Sequence, residues 1–187
     1  MPGDRLNFSG SLGYLDAKYV HFLTVVTRNQ SGAVIPATEV DIAGFRKIQN
    51  TPKWTLSGSV DYDTPLAGGR LNLNSTLSYR SASQQFEIRT PGLDQKGFAL
   101  WDANLVWRAP GNRFEFGLHG KNLANKKYVV SGYNFLLQNP YTGDFITSAG
   151  MPITSSTQAV PTLGRTGVLT GFYGNPRQLW LSAAFKF

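Results

Sequence analysis

Histidine is the side chain best suited to move protons near neutral pH or to bind a metal, and this chain carries two, His21 and His119. They stand far apart, each in a stretch expected to be strand. No His/Asp/Glu spacing supplies the convergent partners that a metal or acid–base site requires. Nucleophilic chemistry by a serine with His119 is the one hydrolytic arrangement these residue types permit, yet nothing singles out one serine among the many. The absence of cysteine excludes thiolate metal sites, disulfides and cysteine catalysis. Gly68, Gly69 and Gly111 sit in turns, and no G-x-x-x-x-G-K-[ST] phosphate cradle occurs. The expectation is no catalytic residue, no metal and no cofactor.

Binding chemistry is better represented. A polar stretch over 131–169 carries Tyr133, Asn134, Phe135, Tyr141, Asp144 and Phe145, and aromatics on a long loop can stack on a ligand or on one another. Lys and Arg number 18 against 11 Asp and Glu, a net charge of +7. The cations are scattered (Arg5, Arg28, Arg70, Arg80, Arg113, Lys186), with Arg46-Lys47 and Lys126-Lys127 the only adjacent pairs. Nucleic-acid binding, which needs a basic cluster interleaved with stacking aromatics, is not indicated. A solvated rim touching anionic lipid headgroups accounts better for such scatter.

The elements that must position these residues show a period of two. Trp54, Leu56, Val60 and Tyr62 alternate with Thr55, Ser57, Ser59 and Asp61, and Leu71, Leu73, Leu77 and Tyr79 repeat the pattern. Trp101, Ala103, Leu105 and Trp107 do so again, and Leu179, Leu181, Ala183, Phe185 and Phe187 close the chain in the same phase. Such alternation places successive side chains on opposite faces of a strand, so the chain is all-β. Six main strands are expected, near 5–26, 53–65, 70–82, 98–109, 113–130 and 171–187. The connections at 65–70 and 109–113 are short and rich in Gly and Pro, whereas those at 27–52, 83–97 and 131–169 are long. All short turns then fall on one edge of the sheet, together with the C-terminus.

Charged residues make up only 16% of the chain, against roughly 25% in ordinary soluble domains, and no run approaches the roughly 18 apolar residues of a membrane helix. Aromatic-rimmed apolar faces, polar opposite faces and loops long on one side only are the features of an outer-membrane barrel. The expected fold is therefore an antiparallel transmembrane β-barrel segment with short periplasmic turns and long extracellular loops. The alternating C-terminal strand, Leu179, Leu181, Ala183, Phe185 and Phe187, resembles the signal that the barrel-assembly machinery reads.

Gly120-Lys121-Asn122-Leu123-Ala124-Asn125-Lys126-Lys127-Tyr128 resembles the "NL-x-[DN]-[KR]-x-Y" segment of TonB-dependent outer-membrane receptors, and Gly174-Asn175-Pro176-Arg177 their "G-x-PR" before a terminal aromatic strand. Thr51-Pro52-Lys53-Trp54, Tyr79-Arg80-Ser81 and Gly13-Tyr14-Leu15-Asp16-Ala17 are weaker matches in the same order. The chain thus looks like the C-terminal part of such a receptor barrel. The resemblance implies a plugged barrel of about 22 strands, non-enzymatic uptake of a scarce ligand (a ferric siderophore, cobalamin, haem or an oligosaccharide), and location in a Gram-negative outer membrane. It also implies as partners lipid, the assembly machinery, the remaining strands and plug, and TonB through an N-terminal part. A signal peptide, plug and energy-coupling peptide are not found in these residues, so a receptor fragment is expected. Lys121, Asn122 and Arg177 are expected to fix register and not to touch ligand. The alternative expectation is a small self-standing outer-membrane or secreted β protein with a binding or adhesive role.

Overall fold

The structure, a computed structural model, describes residues 5–154, 157–163 and 167–186. Strands β1 (Arg5–Tyr14), β4 (Trp54–Leu66), β5 (Gly69–Arg80), β6 (Phe98–Arg108), β7 (Phe114–Lys121) and β10 (Gln178–Phe185) form one antiparallel sheet in the order β1-β4-β5-β6-β7-β10. Two further hairpins, β2 (Leu23–Arg28) with β3 (Val34–Asp41) and β8 (Val129–Asn134) with β9 (Leu169–Tyr173), are built from the long connections. The all-β, antiparallel expectation holds. The described residues form an open sheet whose edges are β1 and β10.

The tight turn between β4 and β5 has Ala67 at φ 51° and Gly68 at φ 73°, the paired positive values that match a two-residue hairpin to the twist of its strands. The β6–β7 connection is a single 3-10 turn at Pro110–Asn112. Both lie at one end of the sheet, where Phe185 of β10 also packs on Phe114 with ring centroids 4.8 Å apart.

Two expected strands end early and a third is divided, each for a local reason. The first was placed over 5–26 but stops at Tyr14; the Leu15 N–H donates to the Lys53 carbonyl at 2.9 Å, the chain then turns away, and 23–28 pairs with β3 instead of β4. The fifth was placed over 113–130 and ends at Lys121, because Asn122 takes φ 47°, a left-handed conformation incompatible with a strand. The sixth was placed over 171–187; it divides into β9 and β10 around Gly174-Asn175-Pro176, where Pro176 has no N–H to give a ladder.

Register turns the alternation into two continuous faces. Leu6 pairs with Tyr62 and Tyr14 with Trp54, Tyr62 with Leu73, Leu73 with Leu105, Leu105 with Leu118 and Leu118 with Leu181. One face is thus apolar across all six strands and stands open: Phe8 is 72% and Leu181 79% exposed. The other carries hydroxyls, amides and charges that pair across strands, as in Ser9–Ser59 at 2.6 Å, Arg108–Glu115 at 2.9 Å and the Arg70–Asp63 ion pair. The sheet therefore has no buried core of its own. The best buried side chains, Ile42, Leu93, Ile146 and Thr90, all lie in the long connections.

Candidate functional site at the long-loop end

The motif residues converge on one knot at the base of the loops. Asn122 is 4% exposed; its Nδ2 donates to the carbonyls of Lys126 at 2.9 Å and Asn175 at 3.0 Å, and its Oδ1 accepts the Lys126 N–H at 2.8 Å. The Asn122 N–H itself donates to Asp102 Oδ1 at 2.8 Å, and the Leu123 N–H to the Trp101 carbonyl at 2.7 Å. Asn125, at φ 49°, accepts the Arg177 N–H on Oδ1 at 3.1 Å. Tyr128 stacks on Phe98 at 4.7 Å, and a Cβ on Gly174 would collide with the Tyr128 ring. Both motifs thus tie β6, β7 and the start of β10 together, Asn122 through its side chain and Arg177 through its backbone N–H.

Above this knot the long connections pack as one body. Leu93 lies under Gly132 and Gly171 of the β8–β9 hairpin. Val129 donates its N–H to Gln95 Oε1 at 2.6 Å. Arg28 reaches the Ser148 carbonyl at 3.0 Å, and Asn139 Nδ2 the Gln30 carbonyl at 2.8 Å. Gly32 and Gly150 meet backbone to backbone, both at positive φ, so that a Cβ on either would strike the other's carbonyl oxygen.

The aromatic loop residues divide into two groups. Tyr133, 55% exposed, stacks on Phe135 at 6.1 Å and meets Phe172 edge-on at 5.7 Å. Tyr141 instead packs edge-on against Phe45 at 5.1 Å, beside Arg46, whose guanidinium lies 5.4 Å from the centre of the Phe22 ring. Asn134 is held internally, donating to Gln138 Oε1 at 2.7 Å, and Phe145 bridges to Gln138. They do not enclose one pocket. Leu179, Leu181, Ala183 and Phe185 line the apolar face of β10, and Phe187 lies outside the described residues.

A cavity of about 860 Å³ does open between the β1–β4 and β5–β6 connections. Its lining brings together Lys18, Arg46, Lys47, Lys53, Arg89 and Lys96 against two carboxylates, Asp16 and Asp94. Sequence reasoning missed it, because these cations come from three separate stretches. Lys53 is paired with Asp16 at 2.9 Å; the hydrogen bond and charge of Lys53 hold that carboxyl below its usual range, and Asp16 raises the ammonium in return. Arg89 is paired with Asp144 at 2.5 Å, and burial lowers the Arg46 guanidinium. Burial raises the Asp94 carboxyl; its Oδ2 accepts the Thr90 N–H at 3.1 Å, while its Oδ1, like Gln84 Oε1, is buried without a hydrogen-bond partner.

The histidines differ in setting. His21 lies outside any strand, contrary to expectation, and its Nδ1 is 2.8 Å from Asp41 Oδ2. The N–H groups of Phe22 and Ala43 also reach Asp41, and these hydrogen bonds, that of Phe22 foremost, hold its carboxyl at about 2. His119 is a strand position on the polar face, stacked on Trp180 at 5.1 Å. Its Nε2 is 2.8 Å from Ser182 Oγ and its Nδ1 2.9 Å from Asn104 Oδ1. Among the described residues no group of three His, Cys, Asp or Glu is placed to hold a metal. No family model, no curated protein and no solved structure matches the chain.

Proposed function

We propose that these residues form part of the wall and outer loops of an outer-membrane β-barrel of the TonB-dependent receptor kind, a non-enzymatic transporter of a scarce ligand such as a ferric siderophore. The observation that carries this reading is the unbroken apolar face across six strands, with every long connection at one end. Tyr14, Trp54, Tyr79 and Trp101 stand towards the loop end of that face, and Trp107, Phe114, Phe116 and Phe185 towards the turn end. β4 has 13 residues, about 40 Å of strand, which a tilt of about 40° reduces to about 30 Å, enough to cross an apolar band of about 25 Å. Lipid would cover the apolar face, and further strands of the same barrel would satisfy the free edges of β1 and β10, since unpaired backbone groups cost several kcal/mol each in hydrocarbon.

Brominated-lipid quenching tests the membrane reading. In single-tryptophan variants of the protein reconstituted in vesicles, Trp54, Trp101 and Trp107 should be quenched from the bilayer and Trp180, on the polar face, should not. Absence of quenching in all four, or a monodisperse protein in plain buffer, would favour a soluble binding or adhesive module. The receptor reading further expects an antibody against residues 131–169 to label an outer-membrane band much heavier than 20.5 kDa.

One observation favours an enzyme: Ser182, His119 and Asn104 stand in the order nucleophile, base, orienting group. Asparagine lacks the charge that would stabilise an imidazolium, and a polar network locking β6, β7 and β10 accounts for the same contacts. Hydrolysis of a chromogenic ester that vanishes in Ser182→Ala would establish the enzyme and displace the transport reading.

A further inference from the structure

We propose that the cavity between the β1–β4 and β5–β6 connections binds a small polyanion, a molecule with two or more carboxylate or phosphate groups. This deepens the transport reading by giving the ligand a chemistry, and it rests on that reading for its outward-facing position. Six cations line the recess against Asp16 and Asp94, and with Asp144 on Arg89 an excess of positive charge remains in one place. A cleft lined by one sign of charge focuses its field and raises the local concentration of the opposite ion.

Part of this charge is held only loosely: Lys18 and Lys47 act on Asp16 and Asp94, respectively, through charge alone. Asp16 and Asp144 take Lys53 and Arg89, and Arg46 donates to the Pro140 carbonyl at 2.7 Å. Lys18, Lys47 and Lys96 have neither ion pair nor side-chain hydrogen bond among the described residues. Three mobile point charges with no preset fork suit an anion of several separated groups better than a single planar carboxylate. The carboxylate facing an arriving anion is Asp94, whose pKa burial raises while hydrogen bonds from the Thr90 and Gln85 backbone and the charges of Arg89 and Lys47 lower it.

Size and rigidity agree. A cavity of about 860 Å³ lies within the roughly 300–1,000 Å³ of small-molecule sites. Its two walls are joined by hydrogen bonds from the Lys47 N–H to the Glu87 carbonyl at 2.9 Å and from the Asn50 N–H to the Gln84 carbonyl at 2.8 Å, so the ordering that opposes binding falls on the lysine side chains and not on the backbone.

Calorimetric titration of the protein in neutral detergent with inorganic pyrophosphate and with tricarballylate, with trehalose as the neutral control, tests the assignment. Both anions should bind saturably and trehalose should not. Lys18→Gln, Lys47→Gln and Lys96→Gln should each weaken binding about tenfold, as expected for a charge-assisted hydrogen bond lost, whereas Arg113→Gln/Lys127→Gln/Lys186→Gln, which removes equal charge elsewhere, should leave it unchanged. Absence of binding, an unaffected Lys18/Lys47/Lys96 triple variant, or equal loss in the control triple would overturn the proposal. So would a triple variant that loses only recruitment to phosphatidylglycerol vesicles, which would assign the lysines to lipid headgroups. Failure of the membrane reading is separately visible, as unquenched tryptophans with polyanion binding intact.

Discussion

Replacing Asn122 by alanine should loosen the junction of β6, β7 and β10 more than any other single polar change in the sheet. The side chain is 4% exposed and makes three hydrogen bonds, of 2.9, 3.0 and 2.8 Å. At about 1 kcal/mol net each, their loss costs about 3 kcal/mol. Asn122 also sits at φ 47°, where alanine, unlike asparagine, meets its Cβ clash at about 1 kcal/mol. The total, about 4 kcal/mol, corresponds to a factor of about 10³ in the local opening equilibrium.

Amide hydrogen exchange of the protein in micelles, read on peptides covering 118–128 and 174–182, measures this directly, with 56–64 as the internal reference. The two regions should accelerate together while the reference does not. Asn122→Gly, which keeps the hydrogen bonds absent but removes the backbone clash, should be milder than alanine by about fivefold in exchange. Asn122→Asp, which keeps the acceptor for the Lys126 N–H but sets a buried carboxylate oxygen against the Lys126 and Asn175 carbonyls, should be at least as damaging as alanine. Unchanged exchange in the alanine variant would refute the hydrogen-bond account, and glycine as damaging as alanine would refute the backbone part.

Gly150→Ala should separate the 147–152 turn from the β2–β3 hairpin, because the new Cβ meets the Gly32 carbonyl at a positive φ; limited proteolysis should then cut near Ser148, and an unchanged digest would count against the packed loop body. For Asp41, hydrogen bonds from Phe22, His21 and Ala43 lower the carboxyl from 3.8 to about 2. The stabilisation they represent is therefore present above the unfolded value of 3.8 and disappears as pH falls through about 2. The Phe22 and Ala43 amide resonances should accordingly titrate with a midpoint near 2, and a midpoint at the ordinary carboxylate value would show that the base of the β2–β3 hairpin is not held this way. If the receptor proposal holds, the combined Tyr133→Ala, Phe135→Ala and Tyr141→Ala variant should reach the outer membrane at wild-type level yet bind ligand more weakly, by about tenfold for an aromatic anchor worth about 1.5 kcal/mol; unchanged affinity would remove these residues from the capture surface.

The alternating pattern was legible because it is local. A period of two assigns each residue of Trp54–Tyr62 or Trp101–Trp107 to a face without reference to any partner, and short Gly/Pro turns against long connections determine which end of the sheet is which. The motif around Asn122 was legible as a pattern, but not its work, since that depends on the Lys126 and Asn175 carbonyls coming within reach. The ends of β1 and β7 were misplaced because β propensity continues through Val20–Val26 and Tyr128–Val130. What stops β7 is a left-handed Asn122, and β1 ends where its last rung, Leu15 to Lys53, is made and 23–28 pairs with β3.

The cationic cavity was not legible at all. Lys18, Arg46, Lys47, Lys53, Arg89 and Lys96 appear scattered in the chain, and charge shows no periodicity that would gather them. Period-two alternation by itself determined the two faces of the sheet and the all-β class, because a strand's side-chain direction follows from its own backbone. Which cations share a cavity, and which aromatics stay exposed, only the tertiary structure decided: packing of Leu93 under Gly132 and Gly171 and the Gly32–Gly150 contact set how three loops close over one another, and those contacts join residues far apart in the chain.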